Sequence, residues 1–310
     1  MKINVVIPTY RPGKGFLELM KRLAAQSCPA ERIIIMNTEE KYFDSFLYGT
    51  DLAHAFPGVQ VHHLSKWEFD HGGTRNAGVS RCNGDIFICM TQDALPADIH
   101  LFEKLAGTLE AGEDIAAAYA RQLPAKGCGE LERYTRAFNY PPESRVKGKE
   151  DLEELGIKTY FCSNVCAAYR KDIFDALGGF ERHAVFNEDM IYAGKAVQAG
   201  YRIAYASEAC VYHSHNYSSI QQFKRNFDNG VSQAQHPEIF AGLSSESEGL
   251  RLVKQTAAHL CKTGRPWLVA KLCADSAAKY AGFWLGKHYK GLPGSLILRC
   301  TMNRDYWKKR

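Results

Sequence analysis

The sequence predicts an α/β fold in which helices flank a mixed, mainly parallel sheet, followed by a helical C-terminal extension. Two observations lead to this fold class. Short apolar runs rich in β-branched residues alternate with stretches of helical apolar spacing through the first 120 of the 310 residues. Polar residues follow the ends of these runs, where open parallel sheets place their ligands. No apolar run reaches the roughly 18 residues that a membrane-spanning helix needs.

The first strands follow from the order of the apolar segments. Residues 2–10 and 32–36 are apolar, and residues 16–23 between them have the 3.6-residue spacing of a helix. A strand, a helix and a second strand imply a right-handed parallel crossover. Residues 59–64 predict a third short strand. Thr9 and Tyr10, and Asn37 with Glu39, would then line one crevice at the carboxyl edge of the sheet.

The next apolar run, residues 86–90, predicts a buried central strand. Thr91, Gln92 and Asp93 follow it directly, so a carboxylate reaches the carboxyl end of that strand. Asp93 is therefore the candidate metal ligand. The alternative is that Asp93 only caps a helix beginning near Pro96.

A glycine-rich loop covers residues 69–78. Gly72 and Gly73 permit close backbone approach, Thr74 is predicted to cap the following helix, and Arg75 can meet a phosphate or pair with a carboxylate. The loop lacks the Gly-Lys-Ser/Thr of a P-loop and does not follow the first strand, which argues against a nucleotidyltransferase. The alternative is an ordinary loop that contains a structural arginine–aspartate pair.

The middle of the chain continues the alternation. Residues 97–111 predict a helix, and residues 115–120 and 158–169 predict strands. The polar residues 121–158 between the two strands predict a mobile excursion, or simply a surface loop. Asn164 either contacts a ligand or makes a hydrogen bond at the end of a strand.

Glu188 and Asp189 open a predicted helix that ends at Gly200. Two acids in the first turn suit the helix dipole, so capping alone is one interpretation. Residues 201–205 and 209–212 predict further strand structure, and His213 and His215 follow on one side of an extended segment. Such a pair can complete a metal site or contact a diphosphate, or it can be two hydrogen-bonded surface histidines. Lys224 and Arg225 on the next helix face either phosphates or water.

The C-terminal part carries most of the positive charge. From Arg251 onwards thirteen Lys and Arg accompany two acids, a net charge of +11, which leaves −6 for residues 1–250. Beyond a polar break at residues 244–248, two sets of side chains recur at helical spacing: Leu268, Leu272, Tyr280, Phe283 and Trp284, and on a second face Lys271, Lys279 and Lys287. Two interpretations stay open: a helical pair packed on the rest of the chain or on a dimer partner, and an interfacial helix on anionic lipid. The ten scattered cysteines predict reduced thiols in the cytoplasm.

Several segments together carry a resemblance to a known family. They are the opening Val-Val-Ile-Pro-Thr-Tyr, the Gly-Gly-Thr-Arg-Asn-Ala-Gly block, Thr-Gln-Asp-Ala after the central strand, Asn-Glu-Asp-Met, and His-Ser-His near residue 214. In this order they resemble the inverting family 2 glycosyltransferases of GT-A fold, and in particular bacterial dTDP-rhamnose-dependent rhamnosyltransferases. The resemblance covers roughly residues 1–235. The Gln-Asp-Ala in place of an Asp-x-Asp motif leaves Asp93 as the single acid of the metal site.

The resemblance implies a role for each candidate residue. Asp189 is the expected catalytic base, with Glu188 beside it to orient it or to bind the acceptor. Asp93 and His213 are the expected ligands of Mg2+ or Mn2+, and Asn164 and His215 are expected to contact acceptor or sugar. The donor nucleotide is expected to bind Thr9, Tyr10, Asn37, Glu39, Asp70, Gly73, Arg75 and Gln92.

The expected function is transfer of L-rhamnose from dTDP-rhamnose to a lipid-linked saccharide acceptor, a precursor of a cell-surface polysaccharide. Residues 1–240 are the expected catalytic domain, divided near residue 120 into a nucleotide-sugar half and an acceptor half, and residues 241–310 the helical extension. The expected location is cytoplasmic, with peripheral membrane contact through residues 251–310; a homodimer is left open, and nucleic acid is not an expected partner. The alternatives are a UDP-hexose or UDP-N-acetylhexosamine transferase of the same fold and a non-catalytic protein that binds a sugar nucleotide.

Overall fold

The sheet has nine strands in the computed structural model, which describes residues 1–46, 56–243 and 246–308. The strand order is β3-β2-β1-β4-β8-β6-β9-β5, and β7 also pairs with β9. The strands are β1 (Ile3–Tyr10), β2 (Arg32–Thr38), β3 (Val59–Leu64), β4 (Ile86–Met90), β5 (Leu95–Pro96), β6 (Ile115–Leu123), β7 (Arg145–Lys147), β8 (Cys166–Arg170) and β9 (Arg202–Tyr212). The prediction of a mixed, mainly parallel sheet is confirmed.

The described helices surround this sheet and form the C-terminal part. They are α1 (Lys14–Ala24), α2 (Glu40–Phe46), α3 (His71–Val79), α4 (Leu101–Glu110), α5 (Glu130–Asn139), α6 (Leu152–Leu155), α7 (Lys171–Ala176), α8 (Glu188–Gln198), α9 (Ser219–Gln235), α10 (Pro237–Phe240), α11 (Glu246–Lys262), α12 (Leu268–Lys287), α13 (Gly294–Cys300) and α14 (Arg304–Lys308). None of them is both long and apolar enough to cross a lipid bilayer.

Four parallel strands form the N-terminal half of the sheet. β1 lies between β2 and β4, and β3 continues beyond β2, all in the same direction. Alternate side chains of these strands enter two cores, one with α1 and α4 and the other with α3 and α8. The polar residues that follow β1, β2 and β4 are therefore brought to one edge of the sheet.

The second half of the sheet differs from the prediction in one important place. Only Cys166–Arg170 is a strand, paired antiparallel with β4 and β6, whereas the predicted strand began at residue 158. Residues Gly156–Tyr160 form a 3-10 helix, and the backbone N–H of Asn164 donates to the Asp189 carboxylate at 2.9 Å. The prediction for residues 158–165 was wrong because this side-chain acceptor satisfies the backbone in place of a neighbouring strand.

Two other boundaries were shifted by pairing between distant segments. The predicted helix 97–111 begins only at Leu101, because Leu95 and Pro96 pair with β9. Residues 201–205 and 209–212 form one strand with a register shift against β6, not two. The polar stretch 121–158 contains the end of β6, helix α5 and β7, so much of it is regular structure.

Helix α12 packs tightly along α9 through glycines. A Cβ on Gly282 would collide with the carbonyl oxygen of Phe223, and one on Gly230 with the carbonyl oxygen of Phe283. Tyr280 and Trp284, which were expected on the apolar face, are 58% and 51% exposed. Close backbone approach buries the glycine face of α12 against α9, and the two aromatic rings stay exposed on another face. The polar break predicted at residues 244–248 lies partly outside the described residues.

Candidate active site

The carboxyl ends of β1, β2 and β4 bring together the residues that were predicted there. The Thr9 hydroxyl donates to Asn37 Oδ1 at 3.1 Å. The Gln92 side chain accepts a hydrogen bond from the Tyr10 N–H at 2.9 Å and donates to the Tyr10 carbonyl at 3.0 Å. The side-chain amide of Gln92 therefore ties the end of β4 to the end of β1.

These residues differ in how much of their surface faces solvent. Thr9 and Asn37 are buried, and the Asn37 amide also contacts His63 Nδ1 at 2.9 Å. Glu39 is partly exposed, in a left-handed conformation at φ 66°, and its carboxylate accepts from the Lys66 N–H at 2.7 Å. That backbone hydrogen bond holds the pKa of Glu39 below its usual value. Tyr10 is exposed and Glu39 and Gln92 are partly exposed, whereas Thr9 and Asn37 are buried.

Helix α3 begins at the glycine-rich loop, and its cap differs from the prediction. Asp70 is the N-cap residue, and its Oδ1 accepts from the Gly73 N–H at 2.5 Å. A Cβ at Gly73 would lie 2.9 Å from that oxygen. Thr74 lies inside the helix, where its hydroxyl accepts from the Asp70 N–H. The prediction that Thr74 caps the helix was wrong because Asp70 is placed to accept from the first turn.

A cleft of about 650 Å³ opens beside this edge of the sheet. Tyr10, Thr38 and Asp70 line one side, and Arg225 of α9 lies on another. The segment around α14 forms a further wall, where Asp305 pairs with the Lys66 ammonium at 2.8 Å. The end of the C-terminal part therefore helps to enclose the cleft.

Arg225, for which the sequence left phosphates or water as alternatives, lies at the wall of the cleft. Its guanidinium lies over the rings of Phe186 at 4.6 Å and Tyr217 at 5.8 Å. It makes no hydrogen bond or ion pair with any residue that the structure describes. A positive group held by aromatic rings at the wall of a cleft can meet an anionic ligand.

The two acids at the start of α8, Glu188 and Asp189, make polar contacts with Arg75 and Asn164. Glu188 is buried and pairs with the equally buried Arg75 at 3.0 Å. Burial opposes ionisation of Glu188, but the Arg75 guanidinium holds its pKa below the usual value. Arg75 is thereby engaged with a carboxylate, the second of the two partners considered from its sequence.

Asp189 has a different electrostatic environment from its neighbour. Its Oδ2 accepts from the Asn164 N–H, and its Oδ1 accepts from the Met190 N–H, both at 2.9 Å. Burial, followed by the negative charge of Glu188, raises the pKa of Asp189 to about 7. A carboxylate with this pKa can take up a proton near neutral pH.

Asn164 holds the two acids in position. Its side-chain amide donates to Glu188 Oε1 at 3.1 Å while its backbone donates to Asp189. Its Oδ1 in turn accepts from the Tyr169 hydroxyl at 2.8 Å. Asn164 is therefore held between the acid pair and Tyr169 and supports the positions of Glu188 and Asp189.

Asp93 lies together with the two predicted histidines. Its Oδ2 is 3.6 Å from His213 Nε2 and 3.3 Å from His215 Nε2. One ligand atom from each of the three lies within 4.8 Å of the others. Partial burial would raise the pKa of Asp93, but its polar neighbours, above all His213, hold the pKa well below its usual range. An anionic carboxylate and two imidazoles fit a divalent cation such as Mn2+.

Gln122 and Arg136 were missed by the sequence analysis. Gln122 Oε1 lies 3.0 Å from His213 Nδ1 and also accepts from Arg136. Because this oxygen accepts, Nδ1 carries the proton and Nε2 is left to face Asp93 as a ligand. Both residues lie in the polar stretch 121–158, where no local pattern singles them out. A second acid–histidine group, Glu40, Asp44 and His63, is exposed on the other side of β2.

Comparisons with known proteins show the family of the chain. Residues 4–178 match the model of glycosyl transferase family 2. The chain is 38% identical over 311 residues to the O-antigen chain rhamnosyltransferase RfbN of Salmonella typhimurium, covering 99% of this chain and 96% of that protein. It is 36% identical to the O-antigen chain rhamnosyltransferase WbaN of Salmonella anatum, with 98% and 95% covered.

Solved structures show the same fold at low identity. The mannosyltransferase PcManGT from Pyrobaculum calidifontis, in complex with GDP-Man and Mn2+, superposes with a TM-score of 0.56 at 17% identity, over 99% of this chain and 85% of that one. Residues 1–349 of S. aureus TarS, in complex with UDP-GlcNAc, give a TM-score of 0.53 at 14% identity over 93% and 92%. The expectation of a GT-A fold is confirmed. The chain therefore belongs to glycosyl transferase family 2.

Proposed function

We propose that this glycosyltransferase moves L-rhamnose, with inversion, from dTDP-rhamnose to a hydroxyl of a lipid-linked saccharide, a precursor of a cell-surface polysaccharide. The match to two O-antigen rhamnosyltransferases over nearly the whole chain carries the choice of sugar. A buried acid pair and a separate acid–histidine cluster that fits a cation support the reaction type. The site therefore has one carboxylate to move a proton and another group to neutralise the leaving diphosphate.

Asp189 is the proposed base. Inverting transfer needs one carboxylate that accepts the proton of the acceptor hydroxyl while its oxygen attacks the anomeric carbon. The Asn164 and Met190 N–H groups fix the orientation of Asp189. The Glu188–Arg75 pair lies beside it and keeps Glu188 anionic, which favours proton uptake by Asp189.

The donor would lie in the 650 Å³ cleft. The proposed contacts to base and ribose are Tyr10, Glu39 and Asp70. The side chains or backbone that support them are those of Thr9, Asn37, Gly73 and Gln92. Arg225 is the proposed contact to the diphosphate. Asp93, His213 and His215 would hold Mg2+ or Mn2+, which neutralises negative charge that develops on a leaving diphosphate. Gln122 keeps His213 in the tautomer that such a cation requires.

The proposed location is the cytoplasmic face of a membrane, to which the extension at residues 241–310 would bind peripherally. Tyr280 and Trp284 lie one turn apart and more than half exposed on a segment of strong positive charge. Aromatic rings beside basic residues suit the interface of an anionic bilayer. The test is sedimentation with phosphatidylglycerol vesicles: Tyr280→Ser with Trp284→Ser should lose binding, whereas Ile220→Ser, a still more exposed apolar residue of α9, should retain it.

The test of the donor is nucleoside-diphosphate release in the absence of acceptor, with Mn2+, Mg2+ or chelator. We expect selective release of dTDP from dTDP-rhamnose, which chelator abolishes. Release from UDP-hexose or UDP-N-acetylhexosamine instead would overturn the rhamnosyl assignment but leave the mechanism. Donor binding without release, unchanged in Asp189→Asn, would favour a non-catalytic sugar-nucleotide-binding protein.

A further inference from the structure

We infer that a groove between α5, α9 and α12 binds the saccharide part of the acceptor; this rests on the function proposed above. The groove has a volume of about 450 Å³ and is separate from the donor cleft, with which it shares no lining residue. The first turn of α5 forms one wall, the N-terminal part of α9 a second, and the N-terminal half of α12 a third. A transferase that handles two substrates needs two such openings at one centre.

The groove reaches the catalytic centre through His215. This residue lines the groove and also lies 3.3 Å from Asp93. Its ring stacks on that of Tyr217, another lining residue, with centroids 5.0 Å apart. A sugar held in the groove would therefore end beside the proposed cation site, and Tyr217 offers it an aromatic ring.

A second set of contacts links the groove to the same centre. Glu132, on the α5 wall, accepts from Arg136 at 2.6 Å, and Arg136 donates to Gln122. Gln122 in turn contacts His213. Charged and polar side chains thus connect the α5 wall of the groove to His213 of the proposed cation site.

The polar groups of the groove suit hydroxyls better than phosphates. Acids and bases are mixed: Asp275 pairs with Lys271 at 2.8 Å, as Glu132 does with Arg136. Lys279 and the side-chain amide of Gln222 both line the groove, and neither is hydrogen-bonded or ion-paired within the described part of the chain. Donors and acceptors without a net charge of one sign recognise a neutral polyhydroxylated ligand.

The groove also gives α12 two functions on two faces. Lys271, Asp275 and Lys279 face the groove, while Tyr280 and Trp284 are exposed. The same helix can then lie at a lipid surface and receive the sugar of a lipid-linked acceptor. This arrangement accounts for a basic extension on an enzyme whose donor is soluble.

The experiment is saturation-transfer NMR with methyl glycosides of glucose, galactose, mannose and rhamnose as probes, on the full chain with dTDP and Mn2+. Signals from at least one glycoside should fall about fivefold or more in Lys279→Met and in Gln222→Leu, because each loses hydrogen bonds to the sugar. Lys254→Met, an exposed lysine of α11 away from the groove, is the matched control and should keep the signal. Thermal unfolding of each variant checks that it folds.

Equal signals from the parent and both groove variants would overturn the inference, as would the absence of any signal from the parent at millimolar glycoside. Release of dTDP from dTDP-rhamnose is measured first on the parent. If the parent releases no dTDP, the proposed function fails and the acceptor groove with it. If it releases dTDP but the groove variants bind glycosides as the parent does, only the acceptor groove is wrong.

Discussion

The acid pair on α8 and the Asp93 cluster contain the same chemical group in opposite surroundings. Glu188 and Arg75 have side chains only 8% and 7% exposed, whereas the Asp93 side chain is 45% exposed. Burial and the charge of Glu188 raise the pKa of Asp189 to about 7, while the neighbours of Asp93, led by His213, hold its pKa well below the usual range. One carboxylate can thus exchange a proton near neutral pH, and the other stays anionic.

The difference shows that neighbours, more than position on a helix or strand, decide what an acid can do. Both acids lie at the end of a secondary-structure element that delivers them to the same edge of the sheet. A like charge beside a buried carboxyl favours its protonated form, and imidazoles beside a partly exposed one favour its anion. Variants that remove a neighbouring charge or the carboxylate itself test whether these surroundings set the behaviour of Asp189 and Asp93.

The largest effect should come from Asp189→Asn. The amide cannot accept the acceptor proton, so turnover should fall by about 10³-fold, within the range that a general base contributes. Donor KM should change little. The measurement is transfer rate at saturating donor and acceptor, with Asp172→Asn, an exposed acid in the first turn of α7, as the control. Turnover near that of the parent would remove Asp189 from the mechanism.

Removing the partner of the buried acid should act on stability. Arg75→Met leaves Glu188 buried without its cation, and the free energy of unfolding should fall by about 3 kcal/mol or more. The double variant with Glu188→Gln should recover a large part of that loss. Urea unfolding measures both, and Arg81→Met, an exposed residue just beyond the end of α3, should lose little. An equal loss in the single and double variants would contradict the pairing argument.

Asp93→Asn should weaken cation binding by about 10²-fold, because an amide oxygen replaces the carboxylate of a three-residue site. The measurement is the Mn2+ concentration that gives half of the maximal rate of dTDP release from dTDP-rhamnose. Glu40→Gln, in the exposed acid–histidine group, is the matched control and should leave that concentration unchanged. The same change in both variants would mean that the cation is not bound at Asp93.

Gln122→Leu should raise the Mn2+ concentration needed for half of the maximal dTDP release by about tenfold, a smaller effect than that of Asp93→Asn. It removes the hydrogen-bond acceptor that fixes the His213 tautomer but leaves the three proposed ligands in place. Gln122→Glu keeps an acceptor at that position and should retain tighter Mn2+ binding than Gln122→Leu. If the two variants are equally impaired, the orienting role of Gln122 is wrong.

The smallest effect concerns the pH dependence of transfer. The proposed base accepts a proton only as its anion, so the rate should rise with pH through a midpoint near 7. Glu188→Gln removes the like charge and leaves Arg75, so the pKa of Asp189 should fall and the midpoint should move down by about one pH unit or less. The measurement is the dependence of kcat on pH for the parent and for Glu188→Gln. A midpoint that stays the same or moves up in Glu188→Gln would contradict the prediction.

The sequence alone determined the elements whose signal is local. The apolar runs 86–90 and 32–36 predicted β4 and β2, because a buried parallel strand needs continuous apolar residues whatever surrounds it. The position of Asp93 after β4, and of Glu188 and Asp189 at the start of α8, followed from the same chain order. The spacing of His213 and His215 also predicted that the two imidazoles lie on the same side of an extended segment.

Only the tertiary structure decided which groups meet. The contacts of Gln122 with Arg136 and His213, and of Asn164 with Glu188, join residues 14 to 91 positions apart, and no local spacing records such a partner. The failed strand at residues 158–165 and the buried glycine face of α12 have the same cause, since a distant carboxylate and a distant helix backbone overrode the local pattern. Periodicity describes one segment at a time, whereas hydrogen bonding, close packing and pKa depend on what another segment places beside it.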